Sequence, residues 1–242
     1  MDPVIKVVLD PAEIAHEAAE RVVAAAGNAA AEGRNFSIAL AGGSTPKALY
    51  GLLATEPYKS RIDWGRVEVF FGDERTVPPD HKDSNYRMAR EALLAKVPIP
   101  GDNVYRMAGE RDPNTAAREY GQMLKEKFAD GGMDMVLLGM GDDGHTASLF
   151  PETEALNETK HRSVANFVPK LNTWRLTLTA PFINTAREVL ILVSGASKAA
   201  RLQEVLEGPP DPRRLPVQLI RPATGGLTWI IDAPAAGMTG VE

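Results

Sequence analysis

The side chain best suited to acid–base chemistry in this sequence is His145. It ends the run Gly139-Met140-Gly141-Asp142-Asp143-Gly144-His145, directly after an apolar segment at residues 133–138. An imidazole titrates near neutral pH and can accept a proton, and a neighbouring carboxylate can fix its tautomer. The other histidines lie in polar or Ala/Glu-rich surroundings typical of surface or boundary positions, and they are His16, His81 and His161. We therefore predict that His145 is a catalytic base.

The segment Gly42-Gly43-Ser44-Thr45-Pro46 has the composition of a helix start that can bind an anion. Glycines allow close approach to the backbone, Thr45 can cap the helix, and Pro46 suits the first helical position. Free backbone N–H groups at such a helix start attract phosphate. A capped tight turn without a ligand is the alternative, and the sequence leaves both interpretations open.

Lys198 lies at the start of another predicted helix, after Ser194-Gly195-Ala196-Ser197. The helix dipole disfavours a positive charge at that end of a helix. A bound anion would account for the lysine, and a solvated surface lysine is the alternative.

Other kinds of catalytic site have no support in the sequence. It contains no cysteine, which excludes a thiolate nucleophile, a disulfide and an iron–sulfur cluster. It contains no Gly-x-Ser-x-Gly elbow and no His-x-x-x-His pair. The loop at residues 42–46 is neither a Walker A sequence nor Gly-x-Gly-x-x-Gly, so nucleotide binding is not favoured there. We therefore expect neither a metal nor a cofactor, and activated water is the preferred nucleophile.

Apolar segments alternate with helical segments along the chain, which is typical of βαβ units and a mostly parallel sheet. Strand character is found at residues 5–9, 36–41, 67–71, 133–138, 175–179, 189–193 and 227–231. Helical composition and spacing are found at residues 13–31, 46–53, 84–96, 114–128 and 198–207. The continuous apolar runs predict strands buried on both faces. Segment 175–179 alternates polar and apolar residues, so we expect it to have one wetter face or to lie at a sheet edge.

The distinctive loops each follow a predicted strand, after residues 41, 71, 138 and 193. Because ligands bind at the carboxyl ends of parallel strands, we expect these loops to meet in one crevice. The candidate cations Arg75, Arg175 and Lys198 would then supply positive charge to one rim.

The overall composition limits the partners. The 242 residues include 27 Lys+Arg and 32 Asp+Glu, a net charge of −5, without the basic run typical of nucleic-acid binding. No apolar run is long enough to cross a membrane, and the first residues lack a targeting signal. We expect one domain over residues 1–242, located in the cytoplasm as a monomer or small homo-oligomer. Its partner should be a small molecule, with no binding to nucleic acid or membrane.

The motifs resemble those of the glucosamine-6-phosphate isomerase/6-phosphogluconolactonase family, and most closely its 6-phosphogluconolactonases. The similarity runs nearly end to end. It is carried by residues 40–46, by Phe71-Gly72-Asp73-Glu74-Arg75 with Asp83-Ser84-Asn85-Tyr86, and most strongly by residues 138–151. The resemblance implies an α/β fold of the glucosamine-6-phosphate deaminase type: three-layer α/β/α and Rossmann-like, with a mostly parallel sheet and helices on both faces.

The resemblance also implies a reaction, the metal-free hydrolysis of 6-phospho-D-glucono-1,5-lactone to 6-phospho-D-gluconate in the oxidative pentose phosphate pathway. His145 would take a proton from the attacking water, Asp143 would orient it, and Arg75 would stabilise the oxyanion or contact the phosphate. The phosphate would be held by Gly42, Gly43, Ser44, Thr45, Arg175 and Lys198. Asp73 matches the proton-transfer carboxylate of the deaminases, and its role in a lactonase is left open.

Two other functions remain as alternatives. One is a glucosamine-6-phosphate deaminase. Phe150 argues against it, because Phe150 stands at the position of a deaminase Glu and a phenyl ring cannot exchange protons. Arg75 likewise stands where the deaminases have Tyr. The other alternative is a non-catalytic sugar-phosphate sensor on the same fold, which usually carries a DNA-binding segment that we do not find. One departure from the lactonase pattern is Glu152, where Gly is frequent, and it could alter the lip of the site.

Overall fold

The alternation of strands and helices expected from the sequence is present in the computed structural model, which describes residues 3–129 and 131–238. The strands within these residues are β1 (Val4–Val8), β2 (Phe36–Leu40), β3 (Val67–Phe71), β4 (Asp73–Arg75), β5 (Met135–Gly139), β6 (Ser163–Val168), β7 (Thr173–Leu178), β8 (Glu188–Val193) and β9 (Gly226–Asp232). The α-helices are α1 (Pro11–Ala31), α2 (Ser44–Leu53), α3 (Asn85–Ala89), α4 (Pro113–Phe128), α5 (Ala180–Ile183) and α6 (Ala199–Glu207).

Six of the described strands form a parallel sheet in the order β1-β9-β8-β5-β2-β3. In β5 and β8 the successive residues Met135 to Leu138 and Val189 to Val193 are all buried, although neighbours on a strand point to opposite faces. Both faces of the central strands are therefore covered, as their continuous apolar runs predicted. The α/β class with a mostly parallel sheet is confirmed.

The remaining described strands form a small antiparallel sheet in the order β4-β7-β6. The predicted strand at 175–179 is β7, and it lies in the middle of this sheet, so of the two alternatives for this strand the position at a sheet edge is wrong. Its outer half, which includes Trp174, is partly exposed, whereas Leu176 to Leu178 are buried. Arg175 therefore belongs to the antiparallel sheet, whereas we expected it at the carboxyl ends of the strands of the parallel sheet. Strands β4 and β6 were not predicted.

Helix boundaries differ from the predictions where local capping decides them. Helix α1 begins at Pro11 because Asp10 caps it, with Asp10 Oδ1 accepting from the Glu13 N–H at 2.9 Å. The predicted helix at 84–96 is α3 followed by a π-helical turn over Arg90–Leu94. Helix α5 lies in a stretch for which we predicted no helix.

Two buried tyrosines hold the chain where strands of the parallel sheet end. The Tyr50 hydroxyl donates to the Ala41 carbonyl at 2.8 Å and accepts from the Ala41 N–H at 2.9 Å. The Tyr120 hydroxyl accepts from the Phe71 N–H at 2.9 Å. Buried backbone groups that leave a strand ladder need such partners, so the sequence positions the first two site loops through side chains of α2 and α4.

Strand β1 lies at one edge of the parallel sheet and exposes apolar side chains. Val4, Ile5, Val7 and Leu9 are 55%, 48%, 40% and 59% exposed. Between them Lys6 forms an ion pair with Glu17 of α1 at 3.7 Å. None of the helices in the described residues has the length and apolar character needed to span a bilayer.

We expect Tyr50→Phe to lower the free energy of unfolding by about 1–3 kcal/mol, because it leaves the buried N–H and carbonyl of Ala41 without a partner. Urea denaturation at neutral pH measures this difference. Tyr86→Phe is the matched control, since the Tyr86 hydroxyl has no hydrogen-bond partner among the described residues, and it should change the value by less than about 0.5 kcal/mol. Equal effects of the two substitutions on the free energy of unfolding would contradict the stabilising role of the Tyr50 hydroxyl.

Candidate active site

A cavity of about 210 Å³ lies at the carboxyl ends of β2, β3 and β5. It is lined by site residues that the sequence predicted, namely Gly42, Gly43, Asp73, Arg75, His145 and Arg175. It is also lined by residues without a predicted role, namely Ala41, Asn85, Gly139, Met140, Gly141, Thr146, Ala147 and Phe150. Three of the four expected loops thus meet here. The predicted residues Ser44, Thr45, Asp143 and Lys198 lie outside the cavity lining.

His145 is held by the carboxylate two residues before it. Its Nδ1 lies 2.6 Å from Asp143 Oδ1, and the same oxygen accepts from the His145 N–H at 3.3 Å. The bond to His145 keeps the pKa of the Asp143 carboxyl far below its usual range, with a further contribution from Lys170 Nζ at 3.0 Å from Oδ2. Asp143 is therefore ionised at neutral pH and accepts a proton held on Nδ1. In the neutral form of the ring with the proton on Nδ1, the lone pair is on Nε2.

The imidazole of His145 is fixed by packing as well as by Asp143. The Phe150 ring stacks on it with centroids 4.1 Å apart and an interplanar angle of 20°. A methyl group added to Gly141 would lie 2.1 Å from both Nδ1 and Cε1 of His145, so only glycine leaves room for the ring at this place. Residues 141–150 thus supply the imidazole, the carboxylate that binds its Nδ1 and the ring that packs against it.

Arg75 and Arg175 form a like-charged pair in the same cavity as His145. They are direct cross-strand partners of β4 and β7, an arrangement that is unfavourable for like charges. Arg75 Nη1 donates to the Asp83 carbonyl at 2.5 Å. Arg175 is half-buried, and its guanidinium group has neither a hydrogen bond nor a salt bridge with any described residue; burial, and then the charge of Arg75, lower its pKa. An anion bound between the two guanidinium groups would remove this repulsion.

Asp73 is buried at the wall of the cavity and is held from two sides. Its Oδ2 accepts from Ser148 Oγ at 2.6 Å, and its Oδ1 accepts from Asn85 Nδ2 at 3.0 Å. Sequence analysis left its role open and assigned none to Ser148 or Asn85. Asn85 belongs to the 83–86 motif that carried the resemblance, which was the available signal for it.

The buried carboxylate of Glu74 organises the start of α3 behind Asp73. Glu74 Oε1 accepts from the N–H groups of Arg75 and Asn85, at 2.7 and 2.8 Å, and Oε2 accepts from the Ser84 hydroxyl and the Tyr86 N–H, at 3.0 and 2.9 Å. Burial raises the pKa of Glu74, and these hydrogen bonds oppose that rise. Glu74 does not line the cavity, and it acts by placing Arg75 and Asn85 there. Sequence reasoning gave it no role.

The first loop differs in detail from its prediction. The cap of α2 is Gly43, with φ 103° and ψ 170°, so the helix begins at Ser44. Thr45 is therefore not the cap, and Pro46 is the third helical residue, where a missing N–H still breaks no helical bond. Because no side chain caps this helix start, its first N–H groups remain available to an anion. Gly42 and Gly43 line the cavity next to it.

Lys198, in the loop after β8, contacts the loop that follows β5. It is the cap residue of α6, and its Nζ lies 2.5 Å from Asp142 Oδ1. This contact lowers the pKa of Asp142. The protein itself therefore supplies an anionic partner for Lys198. Because Asp142 is 80% exposed, a bound anion could replace it at little cost in free energy.

Glu152, the departure from the lactonase pattern, has a φ of 58°. The left-handed region favours glycine, which accounts for the frequent Gly at this position. Here the Glu152 side chain pairs with Arg213 at 2.7 Å, outside the cavity. Within residues 3–129 and 131–238, no group of three His, Asp or Glu side chains is arranged to hold a metal ion.

The sequence matches the profile of the family described as glucosamine-6-phosphate isomerases/6-phosphogluconolactonase over residues 9–229. It is 45% identical over 208 residues to a 6-phosphogluconolactonase of Nostoc sp., covering 83% of each chain. It is 41% identical over 241 residues to a 6-phosphogluconolactonase of Synechocystis sp., covering 97% of this chain and 98% of the relative.

Solved structures agree with these matches. A 6-phosphogluconolactonase from Trypanosoma cruzi superposes with a TM-score of 0.86 at 33% identity, covering 98% of this chain and 96% of that one. A monomeric glucosamine-6-phosphate deaminase superposes with a TM-score of 0.83 at 20% identity, covering 98% of this chain and 100% of that one. The second match shows the fold alone.

We expect the neutral imidazole of His145 to be the Nδ1–H tautomer, because ionised Asp143 accepts from that atom. Two-bond ¹H–¹⁵N correlation spectra of protein labelled with ¹⁵N-histidine should show Nδ1 protonated and Nε2 bare. His145→Gln identifies the signal by its loss, and Asp143→Asn should remove the preference. A neutral His145 ring protonated at Nε2 in the wild type would contradict the interpretation.

Proposed function

The chain belongs to the glucosamine-6-phosphate isomerase/6-phosphogluconolactonase family, and we propose that its reaction is the hydrolysis of 6-phospho-D-glucono-1,5-lactone to 6-phospho-D-gluconate. This is the lactonase step of the oxidative pentose phosphate pathway. The relatives at 45% and 41% identity are both named 6-phosphogluconolactonase, which supports a lactone hydrolase.

One observation carries the proposal: a histidine whose Nδ1 is bound to Asp143 shares its cavity with the half-buried Arg175, whose guanidinium group forms no salt bridge with any described residue. The first feature suits a general base that acts through Nε2. The second suits the phosphate of a sugar phosphate, which guanidinium groups bind through two parallel hydrogen bonds. A phosphorylated lactone needs both features in one place.

In the proposed reaction, His145 Nε2 removes a proton from water as the water oxygen bonds to the lactone carbonyl carbon. The negative charge that develops on the carbonyl oxygen is stabilised by Arg75, while Arg175, Lys198 and the amides at Ser44 and Thr45 hold the phosphate. Collapse of the intermediate breaks the bond from the carbonyl carbon to the ring oxygen. The ring oxygen takes the proton back from His145, which leaves the open-chain acid. A positioned base contributes about 10²–10⁴-fold and an oxyanion donor about 2.7–4 kcal/mol.

Phe150 favours the lactonase over the deaminase of the same family. Its ring lies against His145 with centroids 4.1 Å apart, at the position where the deaminase pattern has a proton-transferring Glu. A phenyl ring cannot donate or accept that proton, but it can exclude water from one face of the base. The hydrolysis of a lactone requires no second proton shuttle at this place.

We expect His145→Ala to lower kcat for the lactone by about 10²–10⁴-fold, because the general base is lost. The assay follows lactone freshly generated from glucose 6-phosphate, with spontaneous hydrolysis subtracted. His161→Gln is the matched control, since the His161 side chain is 70% exposed, and it should retain wild-type turnover. Turnover near the wild-type value in a folded His145→Ala variant would overturn the assignment of the base.

We expect Lys198→Ala to raise KM roughly tenfold while changing kcat little, because a phosphate contact is made in both ground and transition states. Steady-state kinetics on the same lactone separate the two constants. Asp142→Asn is the control, because it frees Lys198 from its ion pair and should leave KM unchanged or lower it. A fall in kcat at constant KM would place Lys198 at the reacting carbon instead.

A further inference from the structure

The side-chain amide of Asn85 is buried in the wall of the cavity with one of its polar atoms unpaired. Asn85 Nδ2 donates to the main-chain oxygen of Asp73 at 2.9 Å and to Asp73 Oδ1 at 3.0 Å. Asn85 Oδ1 has no hydrogen-bond partner among the described residues. These contacts fix the orientation of the amide, since a flipped amide would place its oxygen against two other acceptors.

The unpaired oxygen lies against Gly42 of the first loop. A methyl group added to Gly42 would lie 2.1 Å from Asn85 Oδ1, 2.7 Å from Cγ and 3.0 Å from Nδ2. The three nearest atoms thus all belong to this one amide. In the present structure a Gly42 Cα hydrogen points at Oδ1, which is the geometry of a weak C–H···O contact.

The Asn85 side chain cannot easily move away from a larger residue at position 42. Its backbone N–H is bound to Glu74 Oε1 at 2.8 Å, the residue is 2% exposed, and a shift of the side chain would break both bonds to Asp73. The backbone of Gly42 gives no other reason for glycine, because its φ lies outside the left-handed region.

We propose that Asn85 is a positioning residue of the active site, and that position 42 is glycine because of the Asn85 amide and not because of the ligand. The amide sets the orientation of Asp73 through Nδ2, and through Oδ1 it sets how closely the anion-binding turn at Gly42 and Gly43 approaches that carboxylate. The activity readout of this inference rests on the proposed lactone hydrolysis, whereas the contacts themselves do not.

A double-substitution cycle tests the proposal. Gly42→Ala should lower kcat/KM roughly 10²-fold, because displacement of the amide shifts Asp73 and the turn. Asn85→Ala should lower it about tenfold through loss of the bonds to Asp73. In the Asn85→Ala background, Gly42→Ala should lower kcat/KM less than about threefold, since the three nearest atoms that the added methyl group would strike are gone.

Asn85→Asp is the matched control, because it keeps the bulk of the side chain and removes the donor. Gly42→Ala should therefore still lower kcat/KM strongly in the Asn85→Asp background. The kcat/KM of Asn85→Asp relative to wild type should rise as the pH is lowered, since a protonated carboxyl can again donate to Asp73. Because protonation of this carboxyl also changes stability, kcat/KM is compared only at pH values at which both proteins are fully folded, where a role in folding alone would not produce this pH dependence.

The melting temperatures of the same variants provide a readout that does not depend on the reaction. The destabilisation by Gly42→Ala should be largest in wild type and in Asn85→Asp, and small in Asn85→Ala. If wild type hydrolyses no lactone, the proposed function fails while this cycle still tests the contact. If Gly42→Ala costs as much activity and stability in the Asn85→Ala background as in wild type, the inference is overturned, and the ligand or the backbone requires the glycine.

Discussion

The arrangement of the site depends on the transfer of the chain from one sheet to another at Gly72. The Gly72 N–H donates to the Leu40 carbonyl at 2.9 Å, beside the parallel sheet, and the Gly72 carbonyl accepts from the Leu178 N–H at 2.8 Å, beside the antiparallel sheet. One residue is thus bonded towards both sheets. The residues after Gly72 must cross the carboxyl ends of the parallel strands, which brings β4 to the cavity. Because β4 pairs with β7, Arg175 of β7 then lies opposite Arg75.

The site concentrates positive charge in a chain whose net charge is −5. Carboxylates that do not face the ligand make this possible: Asp143 holds the histidine, Glu74 holds the start of α3, and Asp142 holds Lys198. The guanidinium groups of Arg75 and Arg175 are left to the cavity. The cavity wall carries these two guanidinium groups against the one carboxylate of Asp73. A cleft with an excess of one sign of charge attracts ligands of the other sign, so the net acidity of the chain does not oppose the proposed binding of a sugar phosphate.

The sequence was sufficient for the α/β class, because strands covered on both faces are continuous apolar runs and those runs are visible without a structure. The pairing of His145 with Asp143 was predictable because the two residues lie two positions apart in one turn. Strand β4 was not predictable, since Asp73-Glu74-Arg75 is polar and becomes a strand only by pairing with β7. The roles of Glu74 and Asn85 likewise arise from contacts between distant segments. Thr45 was predicted as the helix cap because capping propensity is local, whereas the left-handed Gly43 decided the helix start.

Strand β1 has a consequence for how copies of the chain meet. An open strand edge with exposed Val4, Ile5 and Val7 is a template for edge-to-edge aggregation. If two copies paired antiparallel about the middle of Val4–Val8, Lys6 of one would stand directly opposite Lys6 of the other, and like charges so placed repel. Lys6 at the centre of the strand therefore disfavours this edge-to-edge pairing of two copies.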